Sequence, residues 1–545
     1  MTLLALLALS LPTQDAPKAD DRGEPPVVAP FDDVDTLAIN DWWNRPTPKN
    51  PRQRIIDMKV PREDVICFGI YTVSQERGAK TGTLKLSAQL FPLYPEETRV
   101  VRLERETDGG WEEIDAREVN DIGWSTTFRV ESWPRDRDVR YRLRHGDSAE
   151  YTGTVRKDPP LGSGLTFAAL SCNSGRDKGM RPNYVRNINA QDPDFVFYAG
   201  DQSYDHRQHT AAWLKFGLQF RETFRDRPCV TIPDDHDIGQ PNLWGEGGKV
   251  STLKGNADGG YQFHPEYVKM VERQQTAHLP DPVDPEPIGQ GIGVYFTKLQ
   301  IGDADFAILE DRKFKSGPAG KIPQMGPRPD HVNDPGYDPS TIDLPGLVLL
   351  GERQLRFLED WAGDQESAFK VVLSQTGFCG GAHLHGPKAE RLFADLDSNG
   401  WPQTGRDKAL TLIEKANAIH IAGDQHLATV IRHGTDTFRD GPWHFVVPAS
   451  VNSIYERWWH PAGDAVGANP PESPLPWVGD YTDGFGNKVT MVAYANPDQR
   501  SEGGGYGRVL LNEDGTVTFE CWPRDVDVTQ DGAEQFVGWP VTVQP

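Results

Sequence analysis

The sequence predicts a mixed α/β protein that is preceded by a small all-β domain. Residues 64–158 consist of short segments in which apolar and polar residues alternate between turn signals, which is typical of an immunoglobulin-like or fibronectin-like β-sandwich. From residue 159 onward, apolar strand patterns are interleaved with helical patterns, and several strands end abruptly in charged residues. Because ligands bind at the carboxyl ends of strands in open α/β sheets, this second region is the candidate for chemistry.

The local patterns predict the individual elements. Alternating segments predict sandwich strands at 82–90, 99–105 and 139–143. Apolar runs predict further strands at 165–170, 194–198, 228–232, 306–309, 369–373, 418–422, 488–494 and 516–520. Leucine and aromatic spacing predicts helices over 211–224 and 351–361. The stretch 239–292 is rich in Gly and Pro and is predicted to be a loop-rich insertion.

The composition limits the classes of function. The 545 residues include 80 acidic and 57 basic residues, which gives a formal net charge of −23. Such a chain would repel a polyanion, so we predict no nucleic-acid-binding domain. The five cysteines include no Cys-x-x-Cys pair, and their odd number argues against a disulfide framework or a zinc ribbon.

The amino terminus has the pattern of an export signal. Residues 3–11 form an apolar run of signal-peptide length, and a polar, Pro-rich stretch follows. We therefore expect a signal peptide over 1–20, a linker over 21–63, and a secreted or periplasmic protein. No later segment approaches the roughly 20 apolar residues that a membrane helix needs, so no membrane span is predicted.

Four of the predicted strands end in residues that can bind a metal ion. These are Cys172, Asp201, the triplet Asp234-Asp235-His236, and Asp424 with His426. A divalent or trivalent cation needs several anionic or lone-pair donors that converge on one point, and loops from separate strands can supply them. Asp201 is then expected to bridge two ions, an arrangement that binds a phosphoryl group and activates water.

Tyr204 bears on the identity of the metal. A phenol with a pKa of about 10 becomes a ligand at neutral pH only beside a strongly Lewis-acidic ion, so Tyr204 favours ferric iron over magnesium. A thiolate at Cys172 would suit iron or zinc better than calcium. For both residues, packing in the core stays an alternative, since a buried cysteine often behaves as a small apolar side chain.

The four motifs SCNSG (171–175), GDQSY (200–204), DDHD (234–237) and GDQH (423–426) occur in this order, each after a strand. Together they resemble the PhoD-type alkaline phosphatases and phosphodiesterases, a branch of the calcineurin-like metallophosphoesterase superfamily. The resemblance extends over about residues 64–520. It implies a four-layer αββα sandwich over 159–545, and an exported enzyme that hydrolyses small-molecule phosphate monoesters or diesters by metal-activated water.

The resemblance also implies roles for individual residues. The implied metal ligands are Cys172, Asp201, Tyr204, Asp235, Asp424 and His426. The first three would bind Fe3+, and Asp235 would bind a second metal, Ca2+; Zn2+ and Mn2+ stay alternatives. His236 resembles the imidazole that meets the substrate phosphate or its leaving group. Arg312 and His385 are further catalytic candidates, which would offset charge on the phosphate oxygens.

Other interpretations stay open. Asp237 replaces the glutamate of the family's DDHE motif, and Pro233 replaces a usual tryptophan, so the ester specificity is not predicted. A non-catalytic extracellular binding protein would keep the metal site only as a structural element, and it would bind metal without turnover. A sulfatase is disfavoured because the chain has no Cys-x-Pro-x-Arg segment.

Overall fold

The computed structural model describes most of the chain beyond residue 59. The described residues are 35, 46–47, 50–54, 60–173, 179–381, 384–385, 390–452, 458, 473–495 and 504–545. The predicted signal peptide and most of the predicted linker lie outside these residues. No helix among the described residues is long and apolar enough to cross a membrane.

The first part of the described chain is built from β-strands. A short antiparallel hairpin, β1 (Pro46–Thr47) and β2 (Asn50–Arg54), precedes a 3-10 helix at Arg62–Asp64. Seven strands follow: β3 (Ile66–Ser74), β4 (Thr81–Leu90), β5 (Val100–Thr107), β6 (Gly110–Glu118), β7 (Ser125–Pro134), β8 (Val139–His145) and β9 (Ala149–Val155). They form a three-stranded sheet, β3-β4-β7, and a four-stranded sheet, β6-β5-β8-β9. The separation of this region as a domain over 64–158 stays a prediction.

The remaining elements mix strands and helices. The strands are β10 (Leu165–Asn173), β11 (Phe195–Tyr198), β12 (Cys229–Thr231), β13 (Thr297–Ile301), β14 (Ala304–Ile308), β15 (His331–Val332), β16 (Phe369–Thr376), β17 (Leu384–His385), β18 (Glu390–Arg391), β19 (Ala394–Asp395), β20 (Ala418–Gly423), β21 (Ala428–His433), β22 (Trp443–Val446), β23 (Ala449–Val451), β24 (Gly479–Thr482), β25 (Lys488–Ala495), β26 (Gly505–Leu511), β27 (Val517–Pro523) and β28 (Val541–Val543). The helices are α1 (Pro182–Gln191), α2 (His209–Phe224), α3 (Asp235–Ile238), α4 (Pro265–Thr276), α5 (Gly351–Gly363) and α6 (Gln403–Lys415). Short 3-10 helices lie at Gly289–Gly291 and Pro339–Ile342. The prediction of a mixed α/β protein is confirmed.

Two large sheets contain most of these strands. One has the order β12-β11-β10-β26-β27-β28, and β23 pairs with β10 in addition. The other has the order β13-β14-β16-β20-β22-β21-β25-β24. The strands β10, β11 and β12 are parallel, as are β14, β16, β20 and β22. The carboxyl ends of each parallel group therefore lie at one edge of their sheet. Small two-stranded sheets pair β15 with β19 and β17 with β18.

The two large sheets pack face to face through aromatic side chains. Phe306 of β14 contacts Phe167 of β10 and Phe195 of β11 in edge-to-face geometry, with ring centroids 5.8 and 4.9 Å apart. All three rings are fully buried. Burial of a phenylalanine side chain contributes about 1.5–3 kcal/mol, so this contact is a substantial part of what holds the sheets together.

Helices cover the outer faces of the two sheets. On the eight-stranded sheet, Trp361 of α5 and Leu410 of α6 are in one buried cluster with Val372 of β16. On the seven-stranded sheet, the ring of Tyr198 contacts Phe216 of α2, with centroids 4.9 Å apart. The layers therefore run helix, sheet, sheet, helix. The strand β3 also packs on α2, through contacts of Phe68 with Trp213 and Phe224.

The region predicted to be a loop-rich insertion contains a regular helix. The helix α4 spans Pro265–Thr276, within the stretch 239–292. Its buried residues Met270 and Val271 belong to a small apolar cluster that also includes Leu243 and Ile292. The loop-rich prediction did not include this helix, because its buried face contains polar residues such as Glu272, Gln274 and Gln275, which obscure the apolar pattern.

Candidate metal centre

The predicted ligands lie where the two sheets meet at their carboxyl edges. Cys172 is the second-last residue of β10. Asp201 lies three residues beyond the end of β11, directly after Gly200. Asp424 follows β20 of the other sheet. At this edge a Cβ added to Gly423 would lie 2.2 Å from Oγ of Ser171 and close to Ala199, so a glycine is needed for the sheets to approach each other.

Four of the six predicted ligands have a left-handed backbone. The φ angles are 56° for Cys172, 58° for Asp201, 68° for Asp424 and 51° for His426. A residue with a side chain adopts this conformation at a cost of about 1–3 kcal/mol, and such residues concentrate at functional sites. At these four positions the chain changes direction at the same residue that carries the ligand atom.

The thiol, the phenol and one imidazole lie together. Ligand atoms of Cys172, Asp201 and His426 are within 4.8 Å of one another. The Tyr204 hydroxyl is 2.8 Å from Nε2 of His426, and its ring packs against Cys172. Nδ2 of Asn452 lies 3.0 Å from the same nitrogen. Tyr204 therefore points into the cluster, as its predicted role as a ligand requires.

Aspartates form the adjoining half of the cluster. Ligand oxygens of Asp201, Asp234, Asp235 and Asp424 lie within 4.8 Å of one another, and Asp201 and Asp235 form a further group with His236. Asp201 thus belongs to three ligand groups, which is the position that a bridging residue needs. Its Oδ2 atom is buried and accepts no hydrogen bond from the described residues.

The cluster contains several buried acidic groups whose charged forms a bound cation would stabilise. Burial raises the pKa of Asp201, and the neighbouring aspartates raise it further. Burial also raises the pKa of the Cys172 thiol, with added contributions from Asp201 and Asp424. The pKa of Tyr204 is raised by burial and by the same kind of anionic neighbours. A bound metal ion reverses each of these shifts, because it stabilises the deprotonated ligand.

His236 lies beside Asp201 and Asp235, and it is partly buried. Its Nδ1 atom is hydrogen-bonded to Nε2 of His206, and the two rings are stacked with centroids 4.8 Å apart. The Tyr204 ring packs on it at 4.1 Å. Burial lowers the pKa of His236, although Asp235 opposes this. The predicted catalytic role of His236 stays a prediction.

Arg312 is surrounded by aspartates. Its guanidinium is bonded to both carboxylate oxygens of Asp234, at 2.7 and 3.3 Å, and to the carboxylate of Asp397. A further ion pair of 3.1 Å joins it to Asp424. Arg312 could therefore contact a substrate phosphate, as predicted, only if one of its N–H groups gave up its hydrogen bond to a carboxylate. The backbone of the other catalytic candidate, His385, belongs to β17. Its side chain is not among the parts of the chain that the structure describes.

Two supporting residues were not assigned a role from the sequence. Asp397 pairs with Arg312 from a loop 85 positions away, and no local pattern marks it. Asp237 accepts hydrogen bonds from the backbone N–H groups of Asp201 and Asp234, at 2.8 and 3.0 Å. Asp-x-x-Asp at the start of a helix is a capping pattern, so this second role could have been recognised in the DDHD motif.

A second group of ligand-type side chains has a different explanation. Cys379, His433 and His444 are buried, with ligand atoms within 4.8 Å of one another. Arg406 contacts Nδ1 of His433 at 3.2 Å, and a guanidinium can only donate. His433 therefore carries its proton on Nε2 and donates it to Nδ1 of His444 at 3.0 Å. With both nitrogens of His433 engaged, the group is a neutral hydrogen-bonded pair.

The fold and the cluster support the class of metal-dependent phosphoesterases. Residues 212–457 match the family model described as PhoD-like phosphatase. The resemblance predicted from the four motifs is confirmed. A search of the curated proteins by sequence gave no match.

Two solved structures have a similar fold. The structure described as "Structure of PhoD" matches with a TM-score of 0.60 and 15% sequence identity, over 89% of this chain and 91% of that chain. The purple acid phosphatase PPD1 from yellow lupin (Lupinus luteus) seeds matches with a TM-score of 0.51 and 12% identity, over 88% of this chain and 74% of that chain. At these identities the comparison shows the fold alone.

Proposed function

We propose that this protein is an exported, metal-dependent hydrolase of phosphate monoesters, diesters or both. The PhoD-like match supports the reaction class. The observation that carries the proposal is the position of Asp201, which belongs to three ligand groups and has one buried carboxylate oxygen with no hydrogen-bond partner among the residues that the structure describes. An unpaired buried carboxylate is costly, and a bridging cation would remove that cost.

The donor types fit the proposed ions. Cys172, Tyr204 and Asp201 supply a thiol, a phenol and a carboxylate, a set that suits Fe3+. Asp235 and Asp424 add carboxylate oxygens, which suit Ca2+. Zn2+ and Mn2+ are the alternatives that elemental analysis must distinguish. When bound, such ions polarise the phosphoryl oxygens and lower the pKa of water.

The chain's own residues would hold the reacting groups in place. Asp235 accepts hydrogen bonds from the backbone of His236 and Asn242, which fixes its carboxylate. Because His206 engages Nδ1 of His236, the Nε2 atom is the one left to face a leaving group. From there, His236 would donate a proton to the departing oxygen of the ester.

The test is a substitution of Asp201 by Asn, with assays of p-nitrophenyl phosphate and bis(p-nitrophenyl) phosphate after metal loading. We expect Asp201→Asn to lose turnover of every substrate that the wild type hydrolyses, and to lose bound metal. Asp305→Asn is a matched control, since Asp305 is also buried but lies at the amino end of β14, away from the cluster. Retained hydrolysis in Asp201→Asn would contradict the proposal.

The same experiment separates the alternative function. A non-catalytic extracellular binding protein with a structural metal site would bind metal but hydrolyse neither ester. The ratio of the two wild-type rates assigns the ester class. Export is tested by expression of the full chain and determination of the mature amino terminus, which is expected to begin near residue 20.

A further inference from the structure

Arg312 lies inside the carboxylate half of the cluster and not beside it. Its side chain is 3% exposed, and the side chain of Asp234, its bidentate partner, is fully buried. The Nε and Nη2 atoms face Asp234, and Nη1 faces both the carboxylate and the backbone carbonyl of Asp397. Nη2 also faces Asp397 at 3.3 Å and Asp424 at 3.1 Å.

This arrangement uses the full donor capacity of the guanidinium. Arginine has five N–H donors in a fixed planar fork, and it cannot lose its charge in a protein. All three nitrogens of Arg312 are directed at aspartates. Two of these aspartates, Asp234 and Asp424, also belong to the four-carboxylate group that can hold a metal ion.

We propose that Arg312 is a resident cation of the centre, which takes the place of an additional metal ion among Asp234, Asp397 and Asp424. The inference rests on the proposed metal-dependent function. A permanent positive charge in this position neutralises the carboxylates when no metal is bound. It also repels a divalent ion from Asp234, Asp397 and the Asp424 oxygen that Arg312 engages, so that metal binding is confined to Asp201, Asp235 and the other oxygen of Asp424.

Removal of the charge should therefore create a cation site. In Arg312→Gln, three carboxylates lose their counter-ion, and the oxygens that Arg312 engaged become available to a metal. We expect Arg312→Gln to bind one more divalent ion per chain than the wild type, or to bind its weakest ion about tenfold more tightly or better.

The experiment measures ion binding and stability, not turnover. Chelator-treated wild type, Arg312→Lys and Arg312→Gln are titrated with Ca2+ alone and with Mn2+ alone, by equilibrium dialysis and calorimetry. The affinity is expected to increase in that order, because a single amine cannot span three carboxylates. The thermal midpoint of Arg312→Gln should fall in chelator and recover when Ca2+ is added.

Lys313→Gln is the matched control. Lys313 is equally buried and pairs with two carboxylates, Glu272 at 2.7 Å and Glu310 at 2.6 Å, but none of the three belongs to the cluster. It should lose stability without a gain in ion binding at the centre. If Arg312→Gln fails to fold, the comparison of Arg312→Lys with the wild type decides the question.

Unchanged ion number and affinity in both Arg312 variants would overturn the inference, as would an equal gain in Lys313→Gln. Failure of the proposed function has a different signature. If the wild type binds no ion and hydrolyses no ester while Arg312→Gln gains an ion, the proposed function is wrong and the role of Arg312 stands. If the wild type is an active metalloenzyme and both Arg312 variants bind ions as the wild type does, the proposed function stands and the proposed role of Arg312 is wrong.

Discussion

Substitution of Gly200 by Ala tests how the strand end presents Asp201. Gly200 has a φ of 108°, a conformation that side-chain-bearing residues rarely adopt. A Cβ atom placed there would lie 2.5 Å from Cβ of Asp234 and 3.3 Å from its backbone nitrogen. The backbone strain costs about 1–3 kcal/mol, and relief of the close contact about 1–3 kcal/mol more. We expect the free energy of unfolding to fall by about 2–6 kcal/mol.

The assay is urea denaturation together with elemental analysis, because the shift that relieves the contact must move Asp201 relative to Asp234. Gly320→Ala is the control: Gly320 also has a positive φ, of 77°, but an added Cβ there meets nothing within 4 Å. It should lose only about 1–2 kcal/mol and keep its metal. The reasoning is refuted if Gly200→Ala loses no more stability than the control and binds wild-type amounts of metal.

Three further predictions concern the core, the pH dependence and the backbone of the centre. Phe306→Ala removes the ring between the two sheets and should lower the free energy of unfolding by about 3–5 kcal/mol in urea denaturation; a loss below about 1 kcal/mol would contradict the packing. Burial lowers the pKa of His278 to about 3, below its unfolded value of about 6.5. The unfolded chain therefore takes up this proton first, and stability is lost as the pH falls from 6.5 toward 3. His278→Gln should reduce the drop in stability between pH 7 and pH 5 by about 2 kcal/mol, and an identical drop in both proteins would exclude this origin. At His426, where φ is 51°, Gly should be more stable than Ala by about 1 kcal/mol, the opposite of the order in a helix; calorimetric melting of the two variants shows which order holds.

Much of the fold follows from the spacing of apolar residues. The predicted strand at 194–198 and the helices at 211–224 and 351–361 correspond closely to β11, α2 and α5. Each has a long or wholly buried apolar pattern, and such patterns are the most reliable signals in a sequence. Helices α1 and α4 were not predicted, because their sequences are mostly polar: α1 buries only three residues, and α4 buries polar residues such as Gln274 and Gln275 beside its apolar ones.

The centre was predictable in its residue types but not in its pairings. Each motif lies at the carboxyl end of a strand or shortly after it, so parallel pairing of β10, β11 and β12 was sufficient to bring Cys172, Asp201 and Asp235 to one edge. The partners of Arg312 were not predictable, because Asp397 lies in a loop that no local pattern marks and Asp234 follows a strand of the other large sheet. Nothing in a sequence indicates which carboxylates face an arginine when the contact is made across the interface of two sheets.

Strain and charge are concentrated at the same residues of this protein. Cys172, Asp201 and Asp424 combine a left-handed backbone with an ionisable side chain, which is buried in Cys172 and Asp201 and 9% exposed in Asp424. Burial also raises the pKa of Asp424 to about 7, although Arg312 opposes this. Neither feature stabilises the fold, since each costs on the order of 1 kcal/mol or more. Both become favourable only when a cation binds, because the turned backbones direct the oxygens and the sulfur to one point. The sheets, through contacts such as that of Phe306 with Phe195, must therefore supply the stability that holds the ligands in place before any ion arrives.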